Sequence, residues 1–182
     1  GPPPAARRAR AVVDEKSPDL PESERADIAE AVGIGAVLYA DLSQNPQSNV
    51  VFDWERMLSL DGNTAPFLMY SYARCRSLLR KGGVEEVEIE ACTPVEPLER
   101  SLLLQLLRYP EALETALSTY RPNLLCEYLF VLATSFNRFY YELPVLQSAT
   151  EEKRRRILLV EATSRVLKSG LDILGIRALE RM

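Results

Sequence analysis

Apolar residues recur every three or four positions along most of the chain, the spacing that places them on one side of an α-helix. Leu98, Leu102 and Leu106, for example, lie four residues apart after a proline start at Pro97. The pattern predicts helices over residues 25–42, 64–81, 97–108, 111–119, 122–143 and 151–174. Because short loops join the later segments, they are expected to pack as antiparallel neighbours. The predicted fold is therefore all-α, with a helical bundle in the second half of the chain.

The helix predicted after residue 64 has the clearest boundaries. Thr64 is a good N-cap residue, Pro66 lies in the first turn, and Gly82 is followed by a second glycine that stops the helix. On one face, Phe67, Tyr70, Arg74 and Ser77 lie at i, i+3, i+7 and i+10. Near the opposite side lie Leu68, Tyr72, Cys75 and Leu79.

Two aromatic rings and a guanidinium on one face can stack on bases and pair with phosphate. The alternative is that Phe67 and Tyr70 belong to the core and Arg74 is a solvated cation, because aromatic residues at helical spacing are usually buried. The spacing by itself leaves both interpretations open.

Two segments are predicted to lack regular structure. Residues 1–10 combine prolines with arginines and no apolar stripe, so they are expected to be a disordered linker or a tag. Residues 82–96 contain four glutamates between glycines and prolines, which is typical of an acidic, solvated linker.

Charge and composition restrict the possible chemistry. The chain has 182 residues, a formal net charge of −4 and a pI of about 5.1, so binding to RNA requires a local basic patch. It has three widely spaced cysteines and no histidine, which excludes a Ser-His-Asp triad and leaves no zinc ligand set within one chain. The apolar runs are too short to span a membrane. Arg155, within the basic run 153–156, and Arg138 are the candidate phosphate contacts outside the helix at 64–81.

Several longer motifs resemble arginyl-tRNA synthetases. Residues 52–66 read FDWERMLSLDGNTAP, and residues 70–77 read YSYARCRS. Together they are similar to the segment that joins the catalytic and anticodon-binding domains of that family. Further similarity covers VGIGAVLYADL at residues 32–42, FNRFY at 136–140 and the ending LGIRALERM at 174–182. The resemblance extends over about residues 11–182.

This resemblance implies an anticodon-binding domain preceded by a helical junction from the catalytic region. The junction would be residues 11–60 and the anticodon-binding domain residues 61–182. It also implies that Phe67, Tyr70, Arg74, Tyr140 and Met182 contact the anticodon arm of the arginine tRNA. Phe67 replaces the tyrosine that is more usual in the family, which keeps stacking but loses a hydroxyl.

The chain lacks the family's catalytic signatures. The ATP-binding motif needs two histidines, and none of the four lysines lies in the lysine-rich catalytic loop. We therefore expect no catalytic residues and no cofactor in this chain, with ATP and magnesium used by a parent enzyme that contains the missing N-terminal catalytic domain. The expected partner is the arginine tRNA, and the expected setting is a cytoplasmic monomer.

Two alternatives remain. In the first, the chain retains the family's sequence yet serves as a helical protein-interaction module. In the second, it is the anticodon domain of a related class I synthetase such as the cysteine enzyme.

Overall fold

A computed structural model describes residues 1–45, 51–84 and 93–182. Within these ranges the regular elements are eight helices and no strands, which confirms the all-α prediction. They are α1 (Pro4–Lys16), α2 (Glu22–Leu42), α3 (Trp54–Met57), α4 (Ala65–Lys81), α5 (Pro97–Leu107), α6 (Tyr109–Ser118), α7 (Pro122–Glu142) and α8 (Thr150–Ile173). The central part of the predicted acidic linker, residues 85–92, lies outside the described residues.

Helix α4 is the centre of the molecule. It packs against α2, α7 and α8, while α1 packs on α2, and α5 and α6 pack on α7. One continuous apolar core includes side chains from α1 through to the tail after α8. The core therefore crosses the boundary predicted at residues 60 and 61, and that division into two parts stays a prediction.

Local hydrogen bonds explain where α4 and α8 are bounded. The Thr64 hydroxyl accepts a hydrogen bond from the Phe67 amide at 3.3 Å, as expected of the predicted N-cap. At the end of α8, Gly175 has a φ of +73°, a conformation that glycine adopts without steric cost. The Gly175 and Ile176 amides donate back to the Asp172 and Leu171 carbonyls at 3.0 and 2.9 Å. This is a Schellman motif, and it turns the tail away from the helix axis.

The structure differs from the linker predicted over residues 1–10, because α1 begins at Pro4. Ala6, Ala9 and Val13 recur at helical spacing and are buried. Gly33 of α2 allows the close packing, since a β-carbon placed there would lie 2.6 Å from the backbone of Ala5. The short, weakly apolar alanine stripe did not stand out among the arginines and prolines of the sequence.

Ion pairs complete the contact between α1 and α2. The Arg10 guanidinium donates to Glu22 at 2.7 and 2.5 Å and to Asp14 at 2.6 Å. Arg25 donates to the same Asp14 carboxylate at 2.7 Å. These side chains join the two helices next to the turn that connects them.

Candidate nucleic-acid interface

The two faces of α4 are disposed as the sequence predicted. The four residues on one side, Leu68, Tyr72, Cys75 and Leu79, are buried in the core. The four on the other side, Phe67, Tyr70, Arg74 and Ser77, are half-buried. The second face is therefore accessible to a ligand while remaining fixed by its neighbours.

Arg74 is surrounded by three tyrosine rings. The carbon of its guanidinium lies 4.9 Å from the ring centroid of Tyr70, 4.7 Å from that of Tyr140 and 5.0 Å from that of Tyr141. Each distance is within the range of a cation–π interaction. The guanidinium also donates a hydrogen bond to the Tyr141 hydroxyl at 3.0 Å. Helices α4 and α7 thus place three aromatic side chains around one cation.

A polar relay between the same two helices orients this cluster. The Arg74 guanidinium donates a hydrogen bond to the Asn137 side-chain oxygen. The Asn137 amide donates in turn to the Ser71 hydroxyl at 2.8 Å and to the Ala133 carbonyl at 2.9 Å. Because the oxygen and the nitrogen of the Asn137 side-chain amide are both hydrogen-bonded, Asn137 holds the guanidinium in one position over the rings.

The cluster faces a cleft of about 420 Å³. The cleft is lined by one face of α4 from Tyr70 to Lys81, by Tyr140 of α7, by the turn between α1 and α2, and by the end of the tail. The charged side chains in its lining are five cations and one acid: Lys16, Arg74, Arg80, Lys81, Arg181 and Asp19. A chain with a net charge of −4 therefore carries the local basic patch that RNA binding requires.

The tail that follows α8 reaches the cleft because side chains fix it along the way. Arg177 donates to both carboxylate oxygens of Asp27 on α2, at 3.1 and 2.6 Å. Further along, Glu180 accepts hydrogen bonds from the Tyr72 hydroxyl at 2.7 Å and from Arg76 at 2.9 Å. Partial burial raises the pKa of Glu180, but the bonds from Arg76 and Tyr72 outweigh it and hold that pKa below its usual value. These contacts place Met182 in the cleft lining.

Four of the predicted site residues meet in this cleft, namely Tyr70, Arg74, Tyr140 and Met182. Phe67 lies on the same face of α4 but is not part of the lining. Its ring packs against Phe130 of α7, with 5.6 Å between the ring centroids.

The two remaining candidates lie apart from the cleft lining. Arg138 is exposed on α7 and donates to Glu142 on the next turn at 2.8 Å. Arg155 donates to the fully buried Glu99 of α5 at 2.8 Å, and Arg156 donates to the same carboxylate at 2.9 Å. Burial raises the pKa of Glu99, yet the hydrogen bonds from Arg155, Val95 and Arg156 lower it to about 2. Part of the basic run 153–156 thus joins α5 to α8.

Sequence reasoning missed several residues of the cleft. Lys81 lies seven residues after Arg74, so the periodicity already used for Phe67, Tyr70 and Arg74 would have found it. Tyr141, which contacts Arg74 but lies outside the cleft lining, adjoins Tyr140 and was visible as half of a tyrosine pair. Arg181 adjoins the predicted Met182 and could have been found from it, whereas the turn between α1 and α2 could not, because only the packing of α1 brings that turn to α4.

Other kinds of site find no support in the described residues. Residues 1–45, 51–84 and 93–182 hold no group of three or more histidine, cysteine, aspartate or glutamate side chains arranged to bind a metal ion. No helix within the same ranges is long and apolar enough to cross a membrane.

Tyrosines and cations that line one open cleft are the side chains with which proteins bind single-stranded RNA. Sequence comparison gives the family. The profile of the DALR anticodon binding domain matches residues 68–182, and the chain belongs to that family. A second profile, the catalytic domain of class I tRNA synthetases (R), matches residues 4–54.

Relatives of known name are similar over nearly the whole chain. An arginine–tRNA ligase from Chloroflexus aggregans is 48% identical over 182 residues, covering 98% of this chain and 32% of the relative. One from Fusobacterium nucleatum is 45% identical over 181 residues, covering 96% of this chain and 31% of the relative. The chain thus spans about a third of the length of these curated relatives.

The fold also matches solved structures. Arginyl-tRNA synthetase from Thermus thermophilus superposes with a TM-score of 0.88 at 36% identity, over 98% of this chain and 31% of that one. The enzyme from Plasmodium falciparum gives a TM-score of 0.83 at 25% identity, over 98% of this chain and 32% of that one.

Proposed function

We propose that this chain is the C-terminal part of an arginine–tRNA ligase and that it holds the anticodon arm of the arginine tRNA. The observation that carries the proposal is the cleft in which Tyr70, Arg74, Tyr140 and Met182 meet, within a domain of an anticodon-binding family. The relatives' names supply the identity of the tRNA.

Each part of the cleft would have a distinct task. Cations in the lining would attract the phosphate backbone, which supplies sequence-independent affinity. Tyr70 and Tyr140 would stack on anticodon bases that are splayed out of the loop, and Met182 would provide an apolar contact beside them. Arg74 is held by three rings and Asn137, so it would keep the tyrosines in place and supply positive charge beneath the bound bases.

Phe67, Arg138 and Arg155 would have weaker or indirect parts in binding. Phe67 extends the aromatic face of α4, and Arg138 is exposed and can exchange its pairing with Glu142 for a phosphate. Arg155 is also bound to buried Glu99, so its contribution would be to hold α8 against α5.

The rest of the enzyme is part of the proposal. A catalytic domain N-terminal to these residues would use ATP with magnesium to join arginine to the tRNA, and this chain would make no bond itself. Residues 11–60 would form the junction to that domain and residues 61–182 the anticodon-binding domain. The parent would act as a monomer in the cytoplasm.

The test is to replace one stacking ring. Tyr70→Ala should weaken binding of arginine tRNA to the full 182-residue chain by about 5- to 150-fold, since a stacked base contributes about 1–3 kcal/mol. The measurement is a fluorescence anisotropy titration with labelled tRNA, accompanied by circular dichroism to show that the helices are retained.

Tyr120→Ala is the matched control, because Tyr120 is 90% exposed and lies outside the cleft lining. It should leave the affinity unchanged. Wild-type affinity for a folded Tyr70→Ala variant would show that this face of α4 does not bind the RNA.

A further inference from the structure

The cleft has a wall that does not belong to the segment matched by the anticodon-binding family. Lys16 and residues 17–20, which connect α1 to α2, line the same cavity as Tyr70, Arg74 and Met182. These residues fall within the range 4–54, where the profile of the class I catalytic domain matches, and not within 68–182. Two parts of the chain therefore face one cleft.

The turn that carries Lys16 is fixed in place without any ligand. Ser17 is buried, and its amide donates to the Val13 carbonyl at 2.8 Å. The Leu20 amide donates to the Ser17 carbonyl at 3.3 Å. The pairs from Arg10 to Glu22 and Asp14 hold the two helices on either side of the turn. These hydrogen bonds and ion pairs therefore hold the backbone at residue 16 beside the edge of the cleft.

The Lys16 ammonium is available to an incoming anion. Its side chain is 42% exposed, and its ion pair in the described part of the chain is with the neighbouring Glu15 at 3.3 Å. Such a pair between exposed side chains is weak, about 0–1 kcal/mol, and a phosphate can replace it readily. Asp19 is the acidic side chain in the cleft lining, and it is exposed on the same turn.

The other cations of the lining are also available. Arg80 is exposed and lies 3.6 Å from Glu180, which Arg76 and Tyr72 already engage. Lys81 and Arg181 form no ion pair with another side chain among residues 1–45, 51–84 and 93–182. Lys16 therefore joins a set of accessible cations that surrounds the aromatic cluster.

From this arrangement we infer that Lys16 is an RNA-binding residue that contacts a backbone phosphate of the tRNA whose bases stack on Tyr70 and Tyr140. The inference rests on the proposed function of the cleft. A polynucleotide is favoured over a single small anion because the cations are distributed around aromatic rings, which suits alternating phosphates and bases. The junction segment would then bind the anticodon arm directly, besides linking two domains.

The test is the salt dependence of binding. The affinity of arginine tRNA for the full chain would be measured by anisotropy between 50 and 200 mM salt for the wild type, Lys16→Gln and Lys16→Arg. Each phosphate that a cation neutralises contributes roughly 0.7–0.9 to the slope of log K against log salt. Lys16→Gln should make the fall of log K with log salt shallower by roughly 0.7–0.9, the contribution of one phosphate contact, and should weaken binding several-fold at low salt. Lys16→Arg should retain the wild-type slope.

Lys168→Gln is the matched control, since Lys168 is similarly exposed but pairs with Asp172 outside the cleft lining. It should keep the wild-type slope and affinity. If the wild type binds and Lys16→Gln has the same slope as the wild type, the role of Lys16 is refuted while the proposed function stands. If the wild type does not bind at low salt, the proposed function and this inference both fail.

Discussion

At the scale of single residues, Arg74 shows what packing adds to a sequence pattern. The spacing placed Arg74 with Tyr70 on one face of a helix, and the structure confirms that face. The spacing could not show that Tyr140, Tyr141 and Asn137 come from a second helix to enclose the guanidinium. Such a contact between residues more than sixty positions apart depends on how two helices pack, which periodicity within either helix does not record.

Glu99 is the opposite case, a residue that the sequence did not single out. It is fully buried and accepts hydrogen bonds from two arginines and from the amides of Val95 and Glu96. Its two arginine partners lie more than fifty residues away, and Arg155 among them was predicted to contact RNA.

Glu99→Gln should destabilise the fold by about 3 kcal/mol, because buried Arg156 loses its close charged partner at 2.9 Å and keeps only half-exposed Glu152 at 3.9 Å. Urea unfolding at neutral pH would measure the loss. Glu142→Gln, which removes the exposed partner of Arg138, should change the stability by less than about 1 kcal/mol. Equal effects of the two substitutions would contradict the role assigned to the buried pair.

The Glu99 carboxylate should also make the stability of the fold fall as the pH is lowered. The folded-state pKa of Glu99 is about 2, below its value in an unfolded chain. Its stabilising contribution is therefore complete above about pH 5 and is lost as the pH falls towards 2. Between pH 5 and pH 2 the free energy of unfolding should fall more for the wild type than for Glu99→Gln. An equal fall in the two proteins would contradict this account of Glu99.

At the scale of elements, six helices after residue 20 were predictable because apolar residues recur along each of them and start or stop residues mark their ends. Helix α1 was missed because prolines and arginines dominate its opening residues, which hid the spacing of Ala6, Ala9 and Val13. The signal that would have found α1 lies elsewhere in the sequence. Gly33 lies in the middle of α2, where a glycine permits another backbone to come close, and the approaching backbone is that of Ala5 and Ala6.

Gly33→Ala should therefore separate α1 from α2, since the added carbon would meet backbone atoms that cannot rotate away. Hydrogen exchange should show faster exchange of the α1 amides while those of α7 remain protected. Ile34→Ala, at the exposed neighbouring position on α2, should leave α1 protected. Unchanged protection of α1 in a folded Gly33→Ala variant would contradict the close packing.

At the scale of the whole molecule, the cleft depends on parts of the chain that are distant in sequence. The turn after α1, the face of α4, Tyr140 of α7 and the tail after α8 all line it. The continuous core fixes the positions of these parts relative to one another, because α4 contacts α2, α7 and α8 directly. Recognition of an anticodon arm would thus be a property of the complete fold, and not of any single helix.

The most direct test of this account is the binding of arginine tRNA to the 182-residue chain across a salt series, with a tRNA of different anticodon for comparison. The account predicts tighter binding of the arginine tRNA, with an affinity that falls steeply as salt increases because several cations contact phosphate. Equal affinity for both tRNAs, or no binding at low salt, would contradict the claim that this cleft recognises the anticodon.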